Sequence, residues 1–104
     1  MIDATMIVPI GDFTPEVARR VRETAVASAQ QRDVVISLAS TLQYSWSALN
    51  EFAEALRAAV TPHRIRLTHS IPRERALFHT LGIEQAWFVE VPSAPAATQI
   101  LIRA

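Results

Sequence analysis

The stretch of the chain that is richest in groups able to bind or react is YSWSALN, residues 44–50. An apolar, β-branched run precedes it and an amphipathic helical pattern follows it, so it predicts a strand-to-helix turn. Such turns often carry functional groups in α/β proteins. Ser45 and Ser47 could each cap the helix or accept a phosphate. Tyr44 and Trp46 could pack in the core or anchor a protein partner, since an exposed Trp is a common interface anchor.

The remaining reactive side chains do not form a catalytic pattern. His63, His69 and His79 lack the i, i+4 spacing of a helical metal site. A serine hydrolase needs a nucleophile elbow such as G-x-S-x-G, and the only two glycines are Gly11 and Gly82. No phosphate-cradling glycine loop is possible, and no cysteine is present. The sequence therefore predicts no enzyme activity, no cofactor and no metal.

Length and charge limit the class of protein. The chain has 104 residues, which predicts a single domain over 1–104, and half of them are hydrophobic, enough for a core. Ten basic and ten acidic residues give zero net charge, which argues against a nucleic-acid surface and permits a homodimer. No apolar run reaches the length of a membrane span, and the N-terminus lacks a basic signal-peptide segment. We expect a cytoplasmic protein that is not embedded in a membrane.

The first half of the chain alternates strand and helix patterns. Residues 6–10 predict a strand, and Pro9 places that strand at a sheet edge or ends it. Gly11 and the next residue then turn the chain. Thr14 is the expected N-cap of a first helix, because a proline at the first helical position and an acid follow it. Residues 34–38, VVISL, predict a buried strand.

The second half continues the alternation. Ser47 is the expected N-cap of a second helix. Residues 65–68 predict a third strand, a third helix runs to Gly82 as its left-handed cap, and residues 87–91 predict a fourth strand. Residues 93–104 form a tail that fits a short helix, a last strand or a docking arm. The order β-α-β-α-β-α-β predicts an α/β fold with a mostly parallel sheet of four to five strands and helices packed against it.

Several segments together resemble the STAS domain: GDFTPEVARRVRETA, VVISLAS, LQYSWSALNEFAEALRAA, IRLTH and SIPRERALFHTLGIEQAWFV. The most telling piece is ALFHTLGIEQAWFV, and the resemblance covers roughly residues 5–91. STAS domains occur as bacterial anti-sigma factor antagonists, in the cytoplasmic part of sulfate transporters and in lipid-transport ABC systems. The resemblance implies a STAS-like fold and a regulatory protein–protein interaction.

The phosphorylation motif of the STAS family falls on the turn at residues 44–50. That motif runs Asp, Ser or Thr, Ser, Gly, Leu, and its first hydroxyl is the phosphate acceptor. With Leu49 on the family's Leu, Ser45 stands at the Asp, Trp46 at the acceptor and Ser47 at the second Ser. An indole cannot accept phosphate, so this favoured register implies an unswitched module. A shift by one residue would make Ser45 the acceptor but would misplace Leu49.

Two functions remain open from the sequence. The leading one is a non-enzymatic STAS-like interaction module whose partner contacts are Tyr44, Ser45, Trp46, Ser47 and Asn50, with Ser45 and Ser47 also as phosphorylation candidates. The resemblance implies a partner such as an anti-sigma kinase, a stressosome-like assembly or a transporter ATPase. The alternative is a domain that binds a nucleotide or lipid at the same helix N-terminus, with Trp46 stacking on a ring.

Overall fold

The protein folds as an α/β sheet with helices packed against it, in a computed structural model that describes residues 4–68, 76, 78–83 and 98–104. Its elements are β1 Ala4–Phe13, α1 Pro15–Ser28, β2 Asp33–Ser37, β3 Thr41–Tyr44, α2 Trp46–Ala58, β4 Ile65–Thr68 and β5 Thr98–Arg103. The five strands form one sheet, and every described pairing is parallel. The predicted fold class, α/β with a mostly parallel sheet, is confirmed.

Strand β1 is the centre of the sheet. It pairs with β2 over residues 4–7 and with β5 over residues 5–10, and β2 in turn pairs with β4. The expectation that Pro9 marks an edge strand, or its end, is wrong. Pro9 lies between Ile7, the last residue paired with β2, and Gly11, the first paired with β3. The N–H that proline lacks is therefore not needed by either strand.

The far end of β1 contains an irregularity where the sequence predicts a turn. Gly11 has a φ of +94° and its N–H donates to the Ser40 carbonyl at 3.1 Å, while the register shifts by one residue between Gly11 and Phe13. A positive φ costs glycine nothing, so the chain bends here without leaving the sheet. The predicted turn is wrong: the strand continues, and the unexpected strand β3 pairs with its end.

The first helix begins as its sequence indicates. The Thr14 hydroxyl oxygen accepts from the Val17 N–H at 3.3 Å, and Pro15 occupies the first turn, so the predicted N-cap is confirmed. A narrow apolar stripe that includes Val17, Val21 and Ala25 is buried. Small side chains on this stripe let α1 approach the sheet and α2 closely.

Only part of the predicted third helix falls in the described residues. Phe78 lies in a helical turn that Gly82 closes with a φ of +89°. The Gly82 N–H donates to the His79 carbonyl at 3.0 Å and the Ile83 N–H to the Phe78 carbonyl at 2.9 Å, which is a Schellman cap. The glycine cap is confirmed. The start of that helix and the strand expected at residues 87–91 lie outside the described residues.

The two faces of the sheet have different surroundings. Ile7, Ile36 and Leu67 stand in register on three neighbouring strands and are fully buried in a core cluster with α1 and α2. The residues that precede and follow them on each strand point to the other face of the sheet. On that face Met6 of β1 is buried outside the cluster, and Leu101 of β5 is 52% exposed. In the part of the tail that the structure describes, residues 98–104, the alternative that fits is a last strand, Thr98–Arg103; residues 93–97 lie outside the described residues. None of the helices in the described ranges is long and apolar enough to cross a membrane.

Candidate functional site

The N-terminus of α2 is fixed by Ser45. Its backbone is extended, and its hydroxyl oxygen accepts from the Ala48 N–H at 3.4 Å, so the helix begins at Trp46. The expectation that Ser47 is the N-cap is wrong by two residues. The Ser45 N–H donates to the Phe13 carbonyl at 3.2 Å, so the pairing of β3 with β1 decides where the helix starts. Ser47 lies in the first turn, with its hydroxyl 3.0 Å from that of Ser45.

Tyr44 ends β3 and faces inward. Its ring is 5.7 Å from the Phe13 ring and 6.3 Å, edge to face, from the Phe78 ring. Phe13 in turn meets Phe52 of α2 at 5.1 Å, so four aromatic rings join two strands, α2 and the helical turn near Gly82. Most of the Tyr44 side chain is therefore packed against the core. The part of the turn that faces solvent begins after it.

Two large apolar side chains in and just before the turn at residues 44–50 face solvent. Trp46 is 57% exposed at the first residue of α2, and Leu42 of β3 is 78% exposed. Ser47 and Asn50 are also exposed. These four residues are named the turn surface here. The predicted contacts Trp46, Ser47 and Asn50 belong to it, Ser45 is half-buried below it, and sequence reasoning missed Leu42.

The two phosphorylation candidates differ in access. The Ser45 hydroxyl is half-buried and occupied as the helix cap, whereas Ser47 is exposed. The first turn of α2 contains no acidic residue, so the partial positive charge of the helix N-terminus is not offset there by a carboxylate. Phosphorylation of either serine stays a prediction, and Ser47 is the hydroxyl that a kinase could reach without first opening the cap.

A separate open groove of about 420 Å³ lies at the other end of α2. Leu56, Val60, His63, Arg64 and Arg66 are among the residues that line it. It lies far along the helix from the N-terminus at which the sequence placed a nucleotide or lipid. The groove is therefore not the site that the small-molecule alternative requires.

His63 has an acidic neighbour, Asp33, which the sequence did not indicate. His63 Nδ1 lies 3.5 Å from an Asp33 carboxylate oxygen, and the same oxygen accepts from the Arg64 N–H at 3.1 Å. These contacts hold the α2–β4 connection against the start of β2. Across the residues that the structure describes, no three His, Cys, Asp or Glu side chains assemble as a metal site.

The cap assignment leads to a paired prediction. Ser45→Ala removes the oxygen that accepts from the Ala48 N–H, so we expect a loss of about 1 kcal/mol in the free energy of unfolding. Ser47→Ala removes an exposed hydroxyl and should change it by less than about 0.5 kcal/mol. Urea unfolding of both variants measures the difference. If Ser47→Ala were the more damaging change, the helix would begin two residues later than the structure has it.

A scan against protein-family models found no match, and neither did searches of curated proteins and of solved structures. The STAS resemblance therefore stays a prediction that rests on the sequence. The residues that can be tested directly are those of the turn surface.

Proposed function

We propose that this chain is a non-enzymatic, STAS-like protein-interaction module that binds a partner through the turn surface and the exposed side of α2. One observation carries the proposal: Trp46 is 57% exposed although a folded core lies directly beneath it. The fold class supports it, since the turn lies at the end of strands in a parallel sheet, where α/β proteins bind their ligands.

The chemistry of the turn surface suits a protein partner. An exposed indole gains both apolar contact and a directed N–H bond when it enters a pocket, which is why Trp is enriched among interface hot spots. Leu42 adds apolar area four residues earlier, and Ser47 and Asn50 supply a polar rim. The Ser45 cap and the aromatic packing of Tyr44 hold this surface in place before binding, which lowers the ordering cost.

The resemblance suggests the class of partner, an anti-sigma kinase-like protein or a transporter ATPase-like protein. Trp46 stands at the family's acceptor position, so we propose a constitutive contact rather than one released by phosphate. Phosphopeptide mapping after treatment with the partner kinase tests this point. Stoichiometric phosphate on Ser45 or Ser47 would contradict the unswitched form of the proposal.

The decisive experiment compares Trp46→Ala with Val60→Ala in affinity capture from the cytosol of the source cells, quantified by mass spectrometry. Val60 is 94% exposed near the other end of α2, so it controls for the loss of an exposed apolar side chain. We expect one protein to be retained by the wild type and by Val60→Ala, and lost with Trp46→Ala. With the purified partner, calorimetry should show a Kd about 30-fold weaker, the size of a hot-spot truncation.

Two outcomes would refute the docking role of Trp46. One is capture of the same proteins by all three chains in equal amounts. The other is equal loss in both variants, which would mean a non-specific apolar contact. Both substituted side chains are exposed, so thermal unfolding should confirm that neither variant is less folded than the wild type.

A further inference from the structure

The backbone of β5 presents a second interaction surface, which contains no residue of the turn surface. Ile10 of β1 pairs with Arg103, and the Ile10 carbonyl accepts from the Ala104 N–H at 3.2 Å. In a parallel ladder this geometry means that Arg103 points its own N–H and C=O away from β1. Because strand residues alternate, Gln99 and Leu101 point their backbone groups the same way.

One of these outward-pointing backbone groups accepts a hydrogen bond from a side chain of α1. The Arg103 carbonyl accepts from the Arg20 guanidinium at 2.9 Å, which confirms its direction. In the described part of the chain β5 pairs with β1 alone, and Leu101 at its centre is 52% exposed. A strand edge that carries an exposed apolar side chain is a template for pairing with another strand.

We infer that β5 pairs antiparallel with β5 of a second copy of this chain, about a twofold axis that passes beside Leu101. Antiparallel pairing of the outward-facing residues then places Leu101 opposite Leu101 and Gln99 opposite Arg103 as hydrogen-bonded pairs. The Arg103 carbonyl has two lone pairs, so it can accept from the Gln99 N–H of the second copy while it keeps its bond from Arg20. Ile100 falls opposite Ile102 between them. The two five-stranded sheets become one continuous sheet.

The side chains of β5 favour a second copy as the occupant because the strand is complementary to itself in this register. Its one charged residue, Arg103, meets an amide rather than another arginine, and apolar residues meet apolar residues on both faces. A twofold axis requires this kind of self-matching. The chain has zero net charge, so two copies approach without overall repulsion.

The pairing of two short edges buries little area compared with a standard stable interface, so the dimer dissociates on dilution. It is independent of the turn surface, since it uses β5 and no residue of β3 or α2. If the Trp46 experiment fails, the proposed β5 dimer is unaffected. If the dimer is not found, the proposed role of Trp46 is unaffected.

The test uses charge at the proposed axis, measured by sedimentation velocity from micromolar to millimolar concentrations. Leu101→Lys and Leu101→Glu each place two like charges directly opposite one another, so each variant alone should sediment as a monomer. An equimolar mixture of the two places Lys opposite Glu and should restore the dimer. Leu42→Lys is the control: it places a charge on the turn surface, at a leucine that is more exposed than Leu101, and this variant should sediment like the wild type.

Residue 101 is exposed, so neither substitution should unfold the monomer, and far-ultraviolet circular dichroism checks this. The inference is overturned if the wild type stays monomeric throughout the concentration range. It is also overturned if either single variant dimerises as the wild type does, or if the mixture stays monomeric. Restoration by the mixture alone would place residue 101 opposite itself across the axis.

Discussion

Replacing Phe13 by alanine is expected to lower the free energy of unfolding by about 3–5 kcal/mol, the usual range for a buried phenylalanine. Phe13 is 1% exposed, and its ring contacts two others, Phe52 edge to face at 5.1 Å and Tyr44 at 5.7 Å. The variant therefore leaves a cavity between β1, β3 and α2. Aromatic pairs of this geometry add stability beyond the buried area, so the loss should lie toward the upper part of the range.

A change of this size is a large part of the stability of a typical native protein, which is about 5–15 kcal/mol. Urea unfolding of the wild type and of Phe13→Ala measures it directly. Leu42→Ala is the matched control, since Leu42 lies near the same corner but is 78% exposed and should change stability by less than about 0.5 kcal/mol. A loss below about 1 kcal/mol for Phe13→Ala would mean that the aromatic cluster does not hold this corner together.

The parts of the fold that local pattern determines were predictable. The α1 cap at Thr14, the strand Ile65–Thr68 and the glycine cap at Gly82 all follow from residue types within a few positions of one another. The VVISL run predicted β2 with a shift of one residue. Capping, periodicity and positive-φ preference act over one or two turns of chain, so a single sequence contains the information.

The parts that depend on distant partners were not predictable. Pro9 suggested an edge because the sequence does not reveal that the β1 partner changes beside it from β2 to β3. The N-cap of α2 is Ser45 and not the predicted Ser47, because the Ser45 N–H bonds to the Phe13 carbonyl, more than thirty residues away. Likewise, the tail became a strand only through its pairing with β1. The wrong predictions for Pro9 and for the α2 N-cap, and the choice that the sequence left open for the tail, all depend on non-local backbone hydrogen bonds.

In the candidate site too, the features that depend on local sequence were predictable and those that depend on distant residues were not. Trp46 could be singled out because the sequence placed it in the turn before α2, whereas the structure has it as the first residue of that helix. Leu42 was missed because β3 is a four-residue strand without an apolar pattern of its own. The inward orientation of Tyr44 depends on Phe13 and Phe78, which come from other elements. The sequence could single out Trp46 as a candidate contact, and its side chain is exposed, but the sequence could not give the surface around it.

The second large effect is expected at Ile36, where Ile36→Ala should lower the free energy of unfolding by about 2–5 kcal/mol and Ile36→Val by about 0.5–1.5 kcal/mol. Ile36 is fully buried on β2 and stands in register between Ile7 of β1 and Leu67 of β4. All three side chains belong to the core cluster under the helices. A close-packed row across three strands cannot collapse around a missing side chain, so most of the cavity cost remains.

Val35→Ala separates the two faces of the sheet in the same strand. Val35 precedes Ile36, points to the opposite face and is only half-buried, so its truncation should cost clearly less than that of Ile36. Urea unfolding of all three variants gives the comparison. An equal or greater loss for Val35→Ala would mean that the face away from α1 and α2 contributes the larger share of the stability.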